Sequence, residues 1–439
     1  MATYVKAYLG TQPLFSSDAS TWTRPADWLT LPTASANTVR GLHAVFNNTT
    51  NFATVRMQTS NGAAYTIDWG DGIVESAASN AVMQHNYVWS NVSAATITSG
   101  GYRQALVTIT PPSGATFSYA NFGDKYTTGV SIPVTTRYSS GWLDMNINLP
   151  NLTSGQRLFI GGSSIRHSFL ERINITSWGA ITSTNSMFYS CTGLREINSA
   201  QWNTSAITDM GTMFFECFSL QIMDGSTWNT SLVTTFNTMF RACSSLIEVK
   251  CSGWNTGALT NMGNFALGCV SLSRIDVSAW NMVNVTTLQN AFNGCYALPE
   301  ISMGSWTLTN CTNLSGMLSS CWSLRDVNII NLSLPAATNI TSMFIDCLSL
   351  PFIGIINVPS GATATTICQS CTSLKSAGFI GINSSTSFAN CMLSGSELDA
   401  IYTGLSVTGA GKTITVTGNF GTATHNPSIA TAKGWTVTT

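Results

Sequence analysis

Four groupings in this 439-residue chain have residue types and spacings that chemistry could use. Cys368-Gln-Ser-Cys371 is a C-x-x-C, the spacing that holds zinc or cycles between dithiol and disulfide. Asp68 and Asp71 stand three apart in a Gly-rich run and could jointly offer oxygens to Ca²⁺. Gly411-Lys412-Thr413 has the ending of a phosphate-binding loop. The four histidines, His43, His85, His167 and His425, could act as general bases or metal ligands.

Each grouping also has a structural explanation. Cys371 belongs to a regular cysteine ladder, and Cys368 falls in the column that Phe188, Phe214, Phe240, Phe292 and Phe344 fill elsewhere, so both read as apolar filling. Cys311 likewise takes the place of Ile207, Val233, Leu259 and Val285. The two aspartates suit a turn in which each carboxylate accepts a backbone N–H. Before Gly411 the loop lacks its earlier glycine, since Ser406 stands there, and the residues after Thr413 read as strand, not helix. The histidines have neither metal spacing nor evident acidic partners. With no Gly-x-Ser-x-Gly and no carboxylate pair marked by context, the sequence reads as a non-enzyme without cofactor or metal.

The elements that position these residues are set by a repeat. Cys191, Cys217, Cys243, Cys269, Cys295, Cys321 and Cys347 recur every 26 residues, and Cys371 and Cys391 come after at 24 and 20. Leu194 to Leu350 keep step three residues after each Cys, and Trp202, Trp228, Trp254, Trp280 and Trp306 keep step eleven after. A fixed period of this length marks stacked units that bury their apolar faces against each other. Positions plus 3 and plus 6 flank a short extended segment. Apolar residues three to four apart before each Cys, such as Met210, Met213 and Phe214, suit a short helix or 3₁₀ turn. A Thr column runs at plus 17, from Thr208 to Thr338. Because a continuous ladder offers every sulfur two equivalent neighbours, the thiols are expected to be buried and free.

The recurring Met-Phe-x-x-Cys-x-Ser-Leu, Trp-Asn-Thr-Ser and Val-Thr-x-Met resemble the BspA-type leucine-rich repeat of bacterial surface proteins and some phage proteins. Tyr65-Thr-Ile-Asp-Trp-Gly-Asp-Gly72, His85-Asn-Tyr87 and Ala105-Leu-Val-Thr-Ile-Thr110 resemble a PKD-like immunoglobulin-type sandwich. Alternating strands around Gly-Asp-Gly turn chemistry support a sandwich independently. The expected fold is mainly β with short helical turns: a leucine-rich-repeat solenoid preceded by an immunoglobulin-like β-sandwich. The expected divisions are an attachment arm over 1–37, the sandwich over 38–112, a connecting segment over 113–154, the solenoid over 155–392 and a C-terminal β cap over 393–439.

Charged residues make up 8 % of the chain, against roughly a quarter in an ordinary soluble domain, and the net charge is -1. That excludes a basic nucleic-acid surface, and no run of 18 apolar residues supports membrane insertion. The array's few charges recur on one strand face: Glu196, Glu248, Arg274, Glu300 and Asp326 at plus 5, and Asp224, Lys250 and Asp276 at plus 7. They form a candidate partner-binding face, or outward positions that keep an exposed sheet soluble. Trp22, Arg24 and Trp28 are candidate anchors of the arm.

The Trp22–Trp28 stretch and Ala432-Lys-Gly-Trp-Thr-Val437 are similar to segments of phage virion proteins carrying such repeats. With no export signal or wall anchor read in the sequence, the expectation is a virion structural protein: a capsid decoration, fibre or baseplate-type appendage. The resemblance implies other virion proteins as partners, a host-surface glycan or protein as a further one, and a homo-oligomer, by guess a trimer. The alternatives are a bacterial cell-surface adhesin and, remotely, a polysaccharide-active enzyme.

Overall fold

The computed structural model describes residues 22–47, 51–124, 138–155, 158–162, 165–408 and 410–439. The first 21 residues of the expected arm therefore lie outside the described residues.

Alternation builds the N-terminal sandwich. Its strands are β1 (Thr38–Val45), β2 (Phe52–Thr59), β3 (Tyr65–Asp68), β4 (Val74–Ala77), β5 (Val82–Asn86), β6 (Arg103–Thr110) and β7 (Phe117–Asn121). In β6, Ala105, Val107 and Ile109 face inward and pack with Val55, Tyr65, Trp69 and Phe117. Two strands come from within 113–154: β7, which pairs with β2, and Trp142–Asn148, which pairs antiparallel with β1. Gly41 makes the second pairing possible, because a Cβ there would come within 2.4 Å of the Trp142 ring.

Strand Trp142–Asn148 also begins the solenoid. Its other edge pairs in parallel with Arg172–Ser177, which pairs in parallel with Glu196–Asn198. A single seven-stranded sheet thus runs from β4 at one edge to the first coils at the other, and the sandwich covers an edge the solenoid would otherwise leave bare. Later coils repeat the parallel pairing, with Ile222, Glu248 and Arg274 in one register and Met223, Val249 and Ile275 buried or half-buried behind them.

The repeat columns have specific physical roles. From Cys217 onward each ladder thiol donates to a carbonyl of the preceding coil, as in Cys243 Sγ to Phe214 O at 3.0 Å and Cys269 Sγ to Phe240 O at 3.0 Å. The indoles of Trp202, Trp228, Trp254 and Trp280 stack with centroids 5.5 to 5.8 Å apart. After Trp202, Trp228 and Trp254, the Asn oxygen accepts a backbone N–H two residues on, and the buried Thr hydroxyl donates to the next coil, as in Thr230 to Asn255 O at 2.9 Å. At plus 17, Thr260 Oγ1 donates to Thr234 O at 3.0 Å and Thr286 Oγ1 to Thr260 O at 3.0 Å.

The segment before each Cys forms turns rather than a helix. Cys217 N–H bonds Phe214 O three residues back, whereas Phe214 N–H reaches Met239 O in the next coil. Thr212 and Glu216 hold positive φ, 50° and 60°, which interrupts any helical run. All twelve cysteines are free and buried.

Past the last coil, Ser394 caps helix Gly395–Gly404, and Lys433 Nζ donates to Tyr402 O at 3.0 Å and Leu405 O at 2.8 Å near its carbonyl end. Strands Thr386–Ser387, Lys412–Thr415 and Trp435–Thr438 pair in parallel and carry the stacking into the C-terminal segment.

Candidate functional site

The strand face brings the repeat charges together in adjacent coils, and most of them are engaged within the chain. Arg274 Nη2 lies 3.2 Å from Glu248 Oε2, Lys250 Nζ 3.0 Å from Asp224 Oδ2, and Arg172 Nε 3.2 Å from Glu196 Oε1. Hydrogen bonds from Ser226 and then Lys250 hold the Asp224 carboxyl below its usual range, and Asp224 in turn raises Lys250. Ser278 does the same for Asp276, whose Oδ1 accepts its N–H and hydroxyl. Asp326 Oδ1 accepts Asn328 N–H at 2.7 Å, and Glu300 adjoins Asp326 across a parallel bridge. Charges that neutralise each other offer a partner little net field.

The sequence reading missed the other half of this face. Ile330, Phe352, Ile355 and Ile380 are 80 %, 56 %, 42 % and 49 % exposed on successive late coils. They are neighbours by register: Ile355 N–H bonds Ile330 O, Phe352 and Ile355 share one strand, and Ile380 lies across from Asn357 in that strand. A bulge at Gly354 turns both Phe352 and Ile355 outward. No side chain could stand at Gly354, since a Cβ there would come within 1.8 Å of Ile329 O. Gly378, beside Ile355, leaves that side chain's flank bare. The sequence carried a signal in the adjacent apolar pair Ile329-Ile330 and in Phe352, which breaks the charged plus 5 column: of two neighbouring strand residues, one must face out.

The arm anchors are occupied by their own chain. Trp22 Nε1 donates to Glu171 Oε2 at 2.7 Å and Trp28 Nε1 to the Tyr102 hydroxyl at 2.7 Å. Arg24 Nε meets the fully buried Asp144 at 2.8 Å, on which Arg172 also converges at 3.3 Å. These contacts fix the segment over the seam where sandwich sheet becomes solenoid sheet.

The other groupings take structural places. Asp68 and Asp71 each accept a turn N–H, from Gly70 and Ile73, and Asp71 also meets His85 Nε2 at 2.8 Å. His85 stacks on Trp69 at 4.7 Å. His43 and His167 are fully buried, and desolvation pushes their pKa down to about 3 and about 4. Burial likewise pushes the Cys321 thiol up to about 12, far from the thiolate needed for metal or redox work. Lys412 Nζ bonds Asn383 Oδ1 at 2.6 Å on a strand. Among the described residues, no group of three or more His, Cys, Asp or Glu is placed to hold a metal ion, and no helix is long and apolar enough to cross a membrane.

Comparison with known proteins agrees with the repeat. Residues 163–274 and 265–377 match the family described as "Mycoplasma protein of unknown function, DUF285". These are the coils that carry the BspA-type resemblance, and they form a leucine-rich-repeat-like solenoid. A solved plant peptide hormone receptor, RGFR1 in complex with RGF2, aligns at 15 % identity and a TM-score of 0.23 over 62 % of this chain and 48 % of that one. The chain thus spans about half the length of that receptor. No curated protein matches.

Proposed function

We propose that this chain is a non-catalytic display protein of the adhesin type, whose solenoid strand face holds a partner on its late coils. One observation carries the reading: early coils pair their charges with one another, while late coils leave Ile330, Phe352, Ile355 and Ile380 uncovered on a single face. A contiguous exposed apolar patch on an otherwise well-packed protein marks a docking surface. The match to a bacterial repeat family supports an adhesin of the BspA kind.

Where the protein is mounted is a separate matter. The end segments favour a virion appendage through their resemblance to phage proteins, with other virion proteins as neighbours; the family match favours a cell envelope. Mass spectrometry of purified particles and of envelope fractions distinguishes these readings. The docking claim is tested by adsorption of labelled protein to candidate bacterial cells. Phe352→Ser with Ile355→Ser should lower binding at least tenfold, as loss of a central apolar anchor does. Undiminished adsorption of that folded variant defeats the assignment of the patch.

A further inference from the structure

The cysteine interval shortens from 26 to 24 and then 20 residues at the end of the array. Beside that contraction, on the turn side of the coils, lies an open groove of about 400 Å³. Its lining includes Thr365, Gln369, Ser385, Ser387, Thr413 and Thr415, five hydroxyls and one carboxamide with no charged side chain among the lining residues. We propose that this groove is a binding site for an uncharged saccharide.

The groove offers unused hydrogen-bonding capacity. In the groove, the side chains of Thr365, Gln369, Thr413 and Thr415 make no hydrogen bond to another described residue, and all four are exposed or half-buried. Ser385 Oγ and Ser387 Oγ accept backbone N–H groups from Thr413 and Ala389, which leaves both hydroxyl protons free to donate outward. Parallel pairing holds the strands bearing Ser387 and Thr415 side by side, so donors and acceptors alternate on a fixed floor. Vicinal hydroxyls of a sugar ring, each both donor and acceptor, complement such a floor.

The lining also selects against other ligands. A phosphate, sulfate or carboxylate would lack a cation, because the neighbouring Lys412 ammonium is committed to Asn383 Oδ1 and Thr408 O. The groove's volume lies within the range of small-molecule sites, roughly 300 to 1,000 Å³. This site is distinct from the strand-face patch, so either assignment can fail while the other stands.

Saturation-transfer NMR on the full chain tests the inference, using uncharged di- to tetrasaccharides built from glucose, galactose, mannose or N-acetylglucosamine beside sialylated and uronate-containing counterparts. At least one uncharged saccharide should receive saturation. Thr413→Val with Thr415→Val removes two hydroxyls at nearly constant shape and should weaken that binding about tenfold. Thr436→Val with Thr438→Val, on the next strand, should leave it unchanged, and thermal unfolding of both variants checks that they fold. The proposal is overturned by no transfer to any uncharged saccharide at millimolar concentration, by preference for the charged ones, or by undiminished binding to the folded groove variant. Adsorption to cells, read in parallel with the Phe352 variant, separates the two assignments. Cell binding without saccharide binding rejects the groove alone, and absence of both rejects the adhesin reading as well.

Discussion

At the residue scale, the side chains that first suggested chemistry are the ones most firmly committed to structure. His43 shows how. Its ring is buried against Tyr87 at 4.6 Å and Trp142 at 5.4 Å, and Nε2 lies 3.0 Å from Phe52 O and 3.1 Å from Gly141 N. His167 packs against the solenoid start with Nδ1 2.6 Å from Ser140 Oγ. Both rings are favoured neutral because charging them in place would strand a desolvated cation. Their folded pKa values, about 3 and about 4, lie below the ordinary 6.5, so between those limits the unfolded chain binds more protons than the folded one. The stabilisation is complete above about pH 6.5 and is lost progressively as pH falls toward 4. At pH 5 each ring should withdraw about 2 kcal/mol relative to neutral pH. The thermal midpoint should therefore fall steeply from pH 7 to pH 5, and His167→Asn should flatten part of that slope. A midpoint independent of pH across this range contradicts the burial assigned to both rings.

At the element scale, the unit is the column rather than the coil. A ladder Cys fills the interior beside the Leu and Phe columns and also supplies a hydrogen bond to the coil behind it, such as Cys269 Sγ to Phe240 O at 3.0 Å. Replacing Cys269 by Ala removes both the donor and most of the volume, at a cost of about 2 kcal/mol. Cys269→Ser keeps a donor in a smaller atom and should be less damaging than Ala; chemical denaturation of the two variants measures the order, and Ser falling below Ala would mean that the sulfur acts only as filler. These columns were legible in the sequence because they repeat: period, free buried thiols, Trp stack and outward charges all stem from spacing. What periodicity cannot encode was missed. Residues 117–121 and 142–148 join the sandwich sheets through long-range pairing that leaves no local trace. The turns before each Cys have apolar spacing that fits a helix, but alternate N–H groups bond the next coil, and only the partner coil decides that. The late apolar patch is visible only as a break in a column, at Phe352, and needs the bulge at Gly354 to face outward.

At the scale of the whole molecule, a stack of parallel coils has two raw ends, each an unpaired strand edge with an uncovered apolar layer. The chain closes them differently. At the start, strand Trp142–Asn148 belongs to the sandwich on one edge and to the first coil on the other, and Arg24, Asp144 and Arg172 tie the preceding segment across that seam. At the finish, strands Lys412–Thr415 and Trp435–Thr438 continue the parallel pairing while helix Gly395–Gly404 packs against strand Ser376–Ile380 and the segments Phe420–Ala423 and Ser428–Thr431, and Leu398, Ile401, Tyr402 and Trp435 are buried in the process. Solenoid stability is a sum of coil and interface terms, so removing an end exposes one interface fully and leaves a template for edge-to-edge pairing. A chain ending at residue 392 should keep the early coils' circular-dichroism signature, lose several degrees in thermal midpoint and self-associate in a concentration-dependent way by sedimentation. Point charges introduced on the exposed edge, such as Ser385→Lys, should restore the monomer without restoring the midpoint, because charge blocks pairing but does not replace buried area. A truncated chain that stays monomeric with an unchanged midpoint would show that residues 393–439 are an appendage and that the last coil closes itself.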